Sequence, residues 1–214
     1  LEQAVADLDA ALAQTPTHLS VYQLTLEPNT AFYAHPPRLP DDDTLWAMQE
    51  ALQTRLRNRG YEQYEVSAYA RSGFQCRHNR NYWEFGDYLG IGAGAHAKLS
   101  SADTITRLHK PRHPRAYLAA AGDATAAESR TLTDDERVFE FMLNAMRLTH
   151  GFMPALFAER TGLASDRLDA ALTGAQVRGL VERYHDRIAP TPLGRRFLND
   201  LLLTVLPNKP DAAA

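Results

Sequence analysis

The run YEQYEVSAY, residues 61–69, alternates bulky and polar side chains and reads as a β-strand. Its neighbours decide what kind of fold that strand belongs to. Immediately upstream, Asp41-Asp42-Asp43 places negative charge where a helix N-terminus is partially positive. Leu45, Met48, Leu52 and Leu56 then recur on one helical face, and Gly60 supplies the stop. Before that helix, EPNTAFYAHPPRLP (27–40) carries four prolines and reads as a loop. HLSVYQLTL (18–26) reads as a further strand, rich in β-branched, aromatic and aliphatic bulk. Leu1, Val5, Leu8 and Leu12 form another helical stripe, broken by Thr15-Pro16-Thr17.

Helix, strand, helix, strand at this spacing predicts parallel βα units. Two such units cannot close a barrel or a doubly wound sheet, and the first helix begins at Leu1 without a cap. The expectation is therefore the tail of a larger α/β domain. Ligands in such folds sit beyond the carboxyl ends of the strands. That places Tyr22, Gln23, Thr25 and Glu27 on the first strand, and Glu65 and Ser67 on the second, where a ligand would lie. An open half-sheet also leaves an edge that favours association, so a dimer is one expected form.

Downstream the character changes at about residue 112. Helical segments are predicted at 113–121, 134–148, 153–161 and 165–172. Thr133-Asp134-Asp135-Glu136 has capping-box spacing, with Val138, Phe139, Met142, Leu143 and Met146 forming a broad apolar face behind it. VRGLVERYHDRIAPTPLGRRFLNDLLLTVL (177–206) reads as a helix end, two short strands about a turn, and a helix, like a winged-helix module. The Ala-rich C-terminal residues are expected to fray.

Bulk composition narrows the partners. A net charge of −3 over 214 residues gives no electrostatic footprint for nucleic acid or an anionic membrane surface. From residue 134 onward, 10 Lys and Arg face 11 Asp and Glu, so the arginines of the winged segment (Arg178, Arg183, Arg187, Arg195, Arg196) are balanced. No apolar run approaches the roughly 20 residues of a bilayer span. A single cysteine excludes an internal disulfide framework and suits the cytoplasm.

The densest chemistry lies in CRHNRNYWEFGDYLGIGAGAH, residues 76–96. Gly90, Gly92 and Ala95 fit G-x-G-x-x-A, but no long helix starts there and no acidic residue follows about 20 positions later, so a Rossmann reading is rejected. These glycines let the backbone pass close to a ligand or to a neighbouring strand, and the residues do not choose between the two. Cys76 reads as a small buried hydrophobe, since Cys76 and His78 alone make neither a zinc site nor a catalytic pair. His78, Asn79, Tyr82 and Trp83 combine a neutral imidazole, an amide and two flat rings, a set suited to haem iron and its macrocycle. From the residues alone, packing of the two rings against a sheet explains this pattern better. His96 can serve as a ligand or as a hydrogen-bonding group.

Taken in order, HLSVYQLTLEPNTAFY, LPDDDTLWAM, GYEQYEVSAYAR, CRHNRNYW and DYLGIGAGAH resemble the oxygen-independent coproporphyrinogen III oxidase-like radical-SAM family, and within it the HemW-type haem-chaperone branch. The resemblance implies a truncated radical-SAM partial (β/α) barrel over 1–112, followed by a mostly helical, winged-helix-like domain over 113–214. It implies haem binding by H-N-x-x-Y-W, matched by His78, Asn79, Tyr82 and Trp83, with His78 as the iron ligand and acceptor haemoproteins as partners. It further implies S-adenosylmethionine (SAM) and a [4Fe-4S] cluster held by C-x-x-x-C-x-x-C, a motif this chain does not contain. By register, Gln23 and Thr25 at the first strand end, and Gly90, Gly92, Gly94 and His96, are then the positions that face SAM. The competing expectation is a coproporphyrinogen III oxidase of porphyrin biosynthesis, which the intact H-N-x-x-Y-W disfavours.

Overall fold

In the computed structural model, which describes residues 1–123 and 127–206, the leucine stripe of the first helix is the seed of one core. Leu8 and Leu12 of α1 (Glu2–Ala13) are buried with Leu56, Tyr61 and Tyr69. Leu56 belongs to α3 (Asp42–Asn58), which starts as predicted, with the Asp41 carboxylate accepting from the Thr44 amide at 2.8 Å. Arg55 of α3 forms a fork with the Asp9 carboxylate of α1. At its far end Gly60, at φ 79°, closes the helix: Tyr61 N donates to Leu56 O and Gly60 N to Arg57 O. The short α2 (Ala31–Ala34) lies in the proline-rich loop.

The strand chemistry differs from the expectation. Residues 61–69 do not form one strand but a hairpin, β2 (Glu62–Glu65) and β3 (Ala68–Ala70), turning at Val66-Ser67. β1 (His18–Ser20) pairs antiparallel with β3, giving the order β1-β3-β2. β1 and β2 run the same way, as parallel βα units require, but β3 is inserted between them, so both ladders are antiparallel. The run 18–26 pairs only over its first third, with one further bond from Val21 N to Ser67 O at 2.8 Å. Its partner strand ends there, so the rest has no ladder to join.

This first compact unit spans Leu1–Cys76, and a second begins at Arg77. The second opens with α4 (Arg77–Trp83), followed by an antiparallel sheet of β4 (His96–Ser100), β5 (Ile105–His109) and β6 (Glu128–Thr131) in that order. The change of character near residue 112 falls inside this unit, between β5 and α5 (Pro114–Ala119), and β6 beyond it completes the sheet. α6 (Asp134–Ala145) carries the predicted capping box, with Thr133 and Glu136 bonding reciprocally. Phe141 of α6 is fully buried and meets Phe85, Phe152 and Phe157 edge-on, with centroids 4.9–5.8 Å apart.

α7 (Pro154–Thr161) and α8 (Ser165–Val177) lead to the hairpin β7 (Val181–Tyr184) and β8 (Arg187–Pro190), then α9 (Pro192–Arg196) and α10 (Leu198–Leu203). This is the helix, two strands and helix that the sequence predicts. Arg183 pairs with Asp169, and Arg178 lies 3.8 Å from Asp200, so these arginines are matched by the interleaved acids. The chain is thus α/β. Among the described residues no helix is long and apolar enough to cross a membrane. The Ala-rich end lies outside the described residues.

Candidate functional site

His78, Asn79, Tyr82 and Trp83 all lie on α4. One helical turn separates His78 from Tyr82, so their rings meet edge-on at 4.9 Å. His78 is exposed, and among the described residues its ring nitrogens make no hydrogen bond. Asn79, Tyr82 and Trp83 are half-buried. Arg147 lies over the Trp83 ring at 4.3 Å, whereas the buried Trp83 Nε1–H has no acceptor among the described residues.

The end of α4 is set by an unusual residue. Gly86 N donates to Asn81 O at 2.7 Å and Phe85 N to Tyr82 O at 3.0 Å, the same pair of bonds that closes α3. In α3 a glycine fills the left-handed position; here it is Phe85, at φ 55°. The strain is tolerated because Phe85 is 1% exposed and packs on Phe141. The next position must be glycine, because a Cβ at Gly86 would meet Asn81 Oδ1 at 2.1 Å and Asn81 O at 2.9 Å.

Behind the helix stands Tyr88, its ring 4.5 Å from that of Tyr82. Tyr88 exchanges backbone hydrogen bonds with Lys98 at 3.0 and 3.1 Å, and Arg107 Nη1 donates to its hydroxyl at 2.7 Å. Arg107 in turn donates from both Nε, at 2.8 Å, and Nη2 to one oxygen, Oε2, of Glu140 on α6. Beside it, Lys98 is 1% exposed, with its ammonium 4.3 Å from the Phe85 ring centroid and 2.7 Å from Asp87 Oδ1. Burial pushes Lys98 below the usual lysine range, although Asp87 opposes this. Burial pushes the Asp87 carboxyl up, but hydrogen bonds from Lys98 and Ser100 outweigh it and hold Asp87 below the usual carboxylate range.

The predicted SAM-facing positions fall in both units. In the first, Gln23 lines a cavity of about 350 Å³ with Tyr22, Ser67, Met48 and Tyr69, while Thr25 is exposed and not among its walls. Glu65 is buried at the end of β2. In the second, a Cβ at Gly90 would lie 2.3 Å from His96 O, so the neighbouring strand by itself requires glycine there. Gly92 (φ 105°) and Gly94 (φ 69°) take conformations that favour glycine, with open space beside Gly92, while a Cβ at Gly94 would lie 3.4 Å from Arg112 Cγ. His96 is exposed on β4 and stacks on its cross-strand neighbour His109 at 4.3 Å.

The residues present suit haem as cargo. An exposed imidazole with uncommitted nitrogens and flat rings beside it leave an iron ligand and apolar faces available. They do not suit a [4Fe-4S] cluster, since the chain has one cysteine and, among the described residues, no group of three metal-ligating side chains converges. No local pattern in the sequence marks Arg107, Glu140 or Arg147, and Tyr88 stands out only as an aromatic beside the glycine loop.

The chain is similar to known proteins. Residues 132–197 match the HemN C-terminal domain. The chain is 44% identical over 203 residues to the protein named heme chaperone HemW of Haemophilus influenzae, covering 94% of this chain and 52% of that protein. It is 45% identical over 204 residues to the HemW of Escherichia coli, covering 94% and 53%, and 29% identical over 199 residues to that of Bacillus subtilis, covering 91% and 52%. The chain therefore spans about half the length of the curated relatives it matches. In fold it is similar to coproporphyrinogen III oxidase (HemN) from E. coli, a radical SAM enzyme, with a TM-score of 0.68 and 16% identity over 95% of this chain and 51% of that one.

Proposed function

We infer, for a chain homologous over 94% of its length to proteins named as HemW haem chaperones, that it holds haem and delivers it to acceptor haemoproteins. His78 is the iron ligand in this reading, with Asn79, Tyr82 and Trp83 around it. The observation that carries the reading is the imidazole of His78, exposed and free of hydrogen bonds among the described residues, with the Tyr82 ring at 4.9 Å. A packing residue would bury its ring or bond its nitrogens. Haem supplies an open coordination position and a flat apolar face; the chain supplies a neutral nitrogen donor and rings to stand beside that face.

In the longer proteins, residues 1–112 would close a partial (β/α) barrel and residues 113–214 would form a winged-helix-like domain. The likeness to HemN over 95% of the chain supports that arrangement. SAM and the [4Fe-4S] cluster would belong to that larger assembly, with Gln23, Thr25, Gly90, Gly92, Gly94 and His96 as the SAM-side positions. The cytoplasm, with its reduced thiols, is the compartment that fits a single free cysteine. The porphyrinogen-oxidase reading is not favoured: its support is a fold likeness at 16% identity.

Haem titration of the full chain, followed at the Soret band, tests the reading. The parent saturates at one haem per chain, and His78→Ala binds at least tenfold more weakly. The holo-chain also transfers haem to an apo-haemoprotein added in excess. Indistinguishable titrations of parent and variant would return α4 to a packing role.

A further inference from the structure

We propose that Tyr88, fixed by Arg107 and Glu140, is a positioning residue for the haem ligand: it sets the orientation of the His78 imidazole through Tyr82. This rests on the haem reading above and concerns the same site. The contacts run without a gap. Glu140 on α6 receives the Arg107 fork, with Nε at 2.8 Å. Arg107 Nη1 donates to the Tyr88 hydroxyl at 2.7 Å. The Tyr88 ring lies 4.5 Å from Tyr82, and Tyr82 lies 4.9 Å from His78.

Each end of this chain of contacts has a physical reason to matter. α4 is only seven residues long, so its own hydrogen bonds hold His78 weakly. An exposed imidazole on such a helix swings about its χ angles unless something beside it removes that freedom. Tyr82 is the neighbour that does so, and Tyr82 is half-buried because Tyr88 stands behind it. Tyr88 is itself held at both its backbone and its hydroxyl. Its backbone is paired in both directions with Lys98, and its hydroxyl is held by a guanidinium whose ion pair is mostly buried, with side chains 23% and 17% exposed. A planar fork fixes direction as well as distance, which a lysine ammonium would not. The sheet and α6 thus brace, through Tyr88 and Tyr82, an imidazole that lies outside the core.

The test uses the full chain with haem and three variants: Tyr88→Phe, Arg107→Met and His78→Ala. Tyr88→Phe keeps the ring against Tyr82 and removes only the hydroxyl, so it stays interpretable if Arg107→Met disturbs the fold. Titration gives the affinity, the ratio of high-spin to low-spin bands reports the iron–imidazole bond, and thermal unfolding without haem reports stability. The expected result is loss of binding in His78→Ala. Tyr88→Phe and Arg107→Met should each weaken haem by about tenfold, the lower end for loss of an outer-shell partner, and shift the spin-state ratio. A Tyr88→Phe/Arg107→Met double variant should be no worse than either single one, because the two act as one unit. If His78→Ala loses haem while Tyr88→Phe and Arg107→Met match the parent in affinity and spin state, the positioning role is overturned and the haem reading stands. If His78→Ala binds like the parent, the haem reading falls and this inference falls with it.

Discussion

Replacing Asp87 by Asn costs more stability than replacing its partner Lys98 by Met, and the difference has a worked size. Lys98 is 1% exposed, and its ammonium lies against Phe85 and donates to Asp87 Oδ1 at 2.7 Å and Ser100 Oγ at 3.0 Å. Asp87→Asn leaves that ammonium buried without its counter-ion, a change that typically costs about 3–5 kcal/mol. A lysine can always escape by losing its proton. From an ordinary value of 10.5 that escape costs about 4.8 kcal/mol at pH 7, at about 1.36 kcal/mol per pH unit. The penalty is therefore bounded near 4.8 kcal/mol at pH 7 and near about 2 kcal/mol at pH 9. The sign is consistent. In the variant the folded Lys98 titrates below its unfolded value, the unfolded chain binds more protons, and stability rises with pH relative to the parent.

Lys98→Met behaves differently. The Asp87 side chain is 42% exposed and keeps Ser100 N and Oγ, both at 2.8 Å, so it is not stranded. Removing the ammonium also removes its burial cost, leaving a net loss of about 1 kcal/mol from the cation–π contact and hydrogen bonds. Urea unfolding at pH 7 and pH 9 measures both. The chain has two tryptophans, Trp46 and Trp83, one in each unit, so a Trp46→Phe background lets Trp83 fluorescence report the second unit alone. The reasoning is refuted if Lys98→Met costs as much as Asp87→Asn, or if the Asp87→Asn deficit does not shrink at pH 9.

Other outcomes follow from the same geometry. Phe85→Gly is expected to be less destabilising than Phe85→Ala by about 1 kcal/mol, because the backbone there sits at φ 55°; each loses the buried ring, and urea midpoints give the order. Gly86→Ala loosens the end of α4, since its Cβ would meet the Asn81 backbone oxygen at 2.9 Å; a loss of about 1–3 kcal/mol, read by thermal unfolding, is expected. Thr133→Ala removes the hydroxyl half of the capping box of α6, leaving the amide bond to Glu136, and costs about 1 kcal/mol. The Glu136 carboxyl is held below the usual range first by the Thr133 amide, a bond alanine keeps, so that half of the box is present above about pH 4.5 in parent and variant and is lost in both as pH falls through the depressed value; the parent–variant gap should narrow only by the share of the Thr133 hydroxyl bond to Glu136.

What the sequence determines by itself is local. The leucine stripe of α3, the Thr133–Glu136 box, the helices beyond 113 and the β7–β8 hairpin are legible because periodicity, caps and turns are set by residues a few positions apart. H-N-x-x-Y-W is legible for the same reason: one helical turn brings His78 to Tyr82 wherever α4 lies. Tertiary structure decides the rest. Whether YEQYEVSAY stays one strand or folds at Val66-Ser67 depends on β1, more than forty residues away, pairing with Ala68–Ala70. Phe85 in a left-handed slot breaks a local preference, and only burial against Phe141 outweighs the cost. Tyr88 finds Arg107 across 19 residues and Arg107 finds Glu140 across 33, through a sheet register that no local pattern encodes. Short-range terms write the elements and the motif into the chain. The partners that brace the motif come from long-range pairing, where the free energy of the whole core chooses the register.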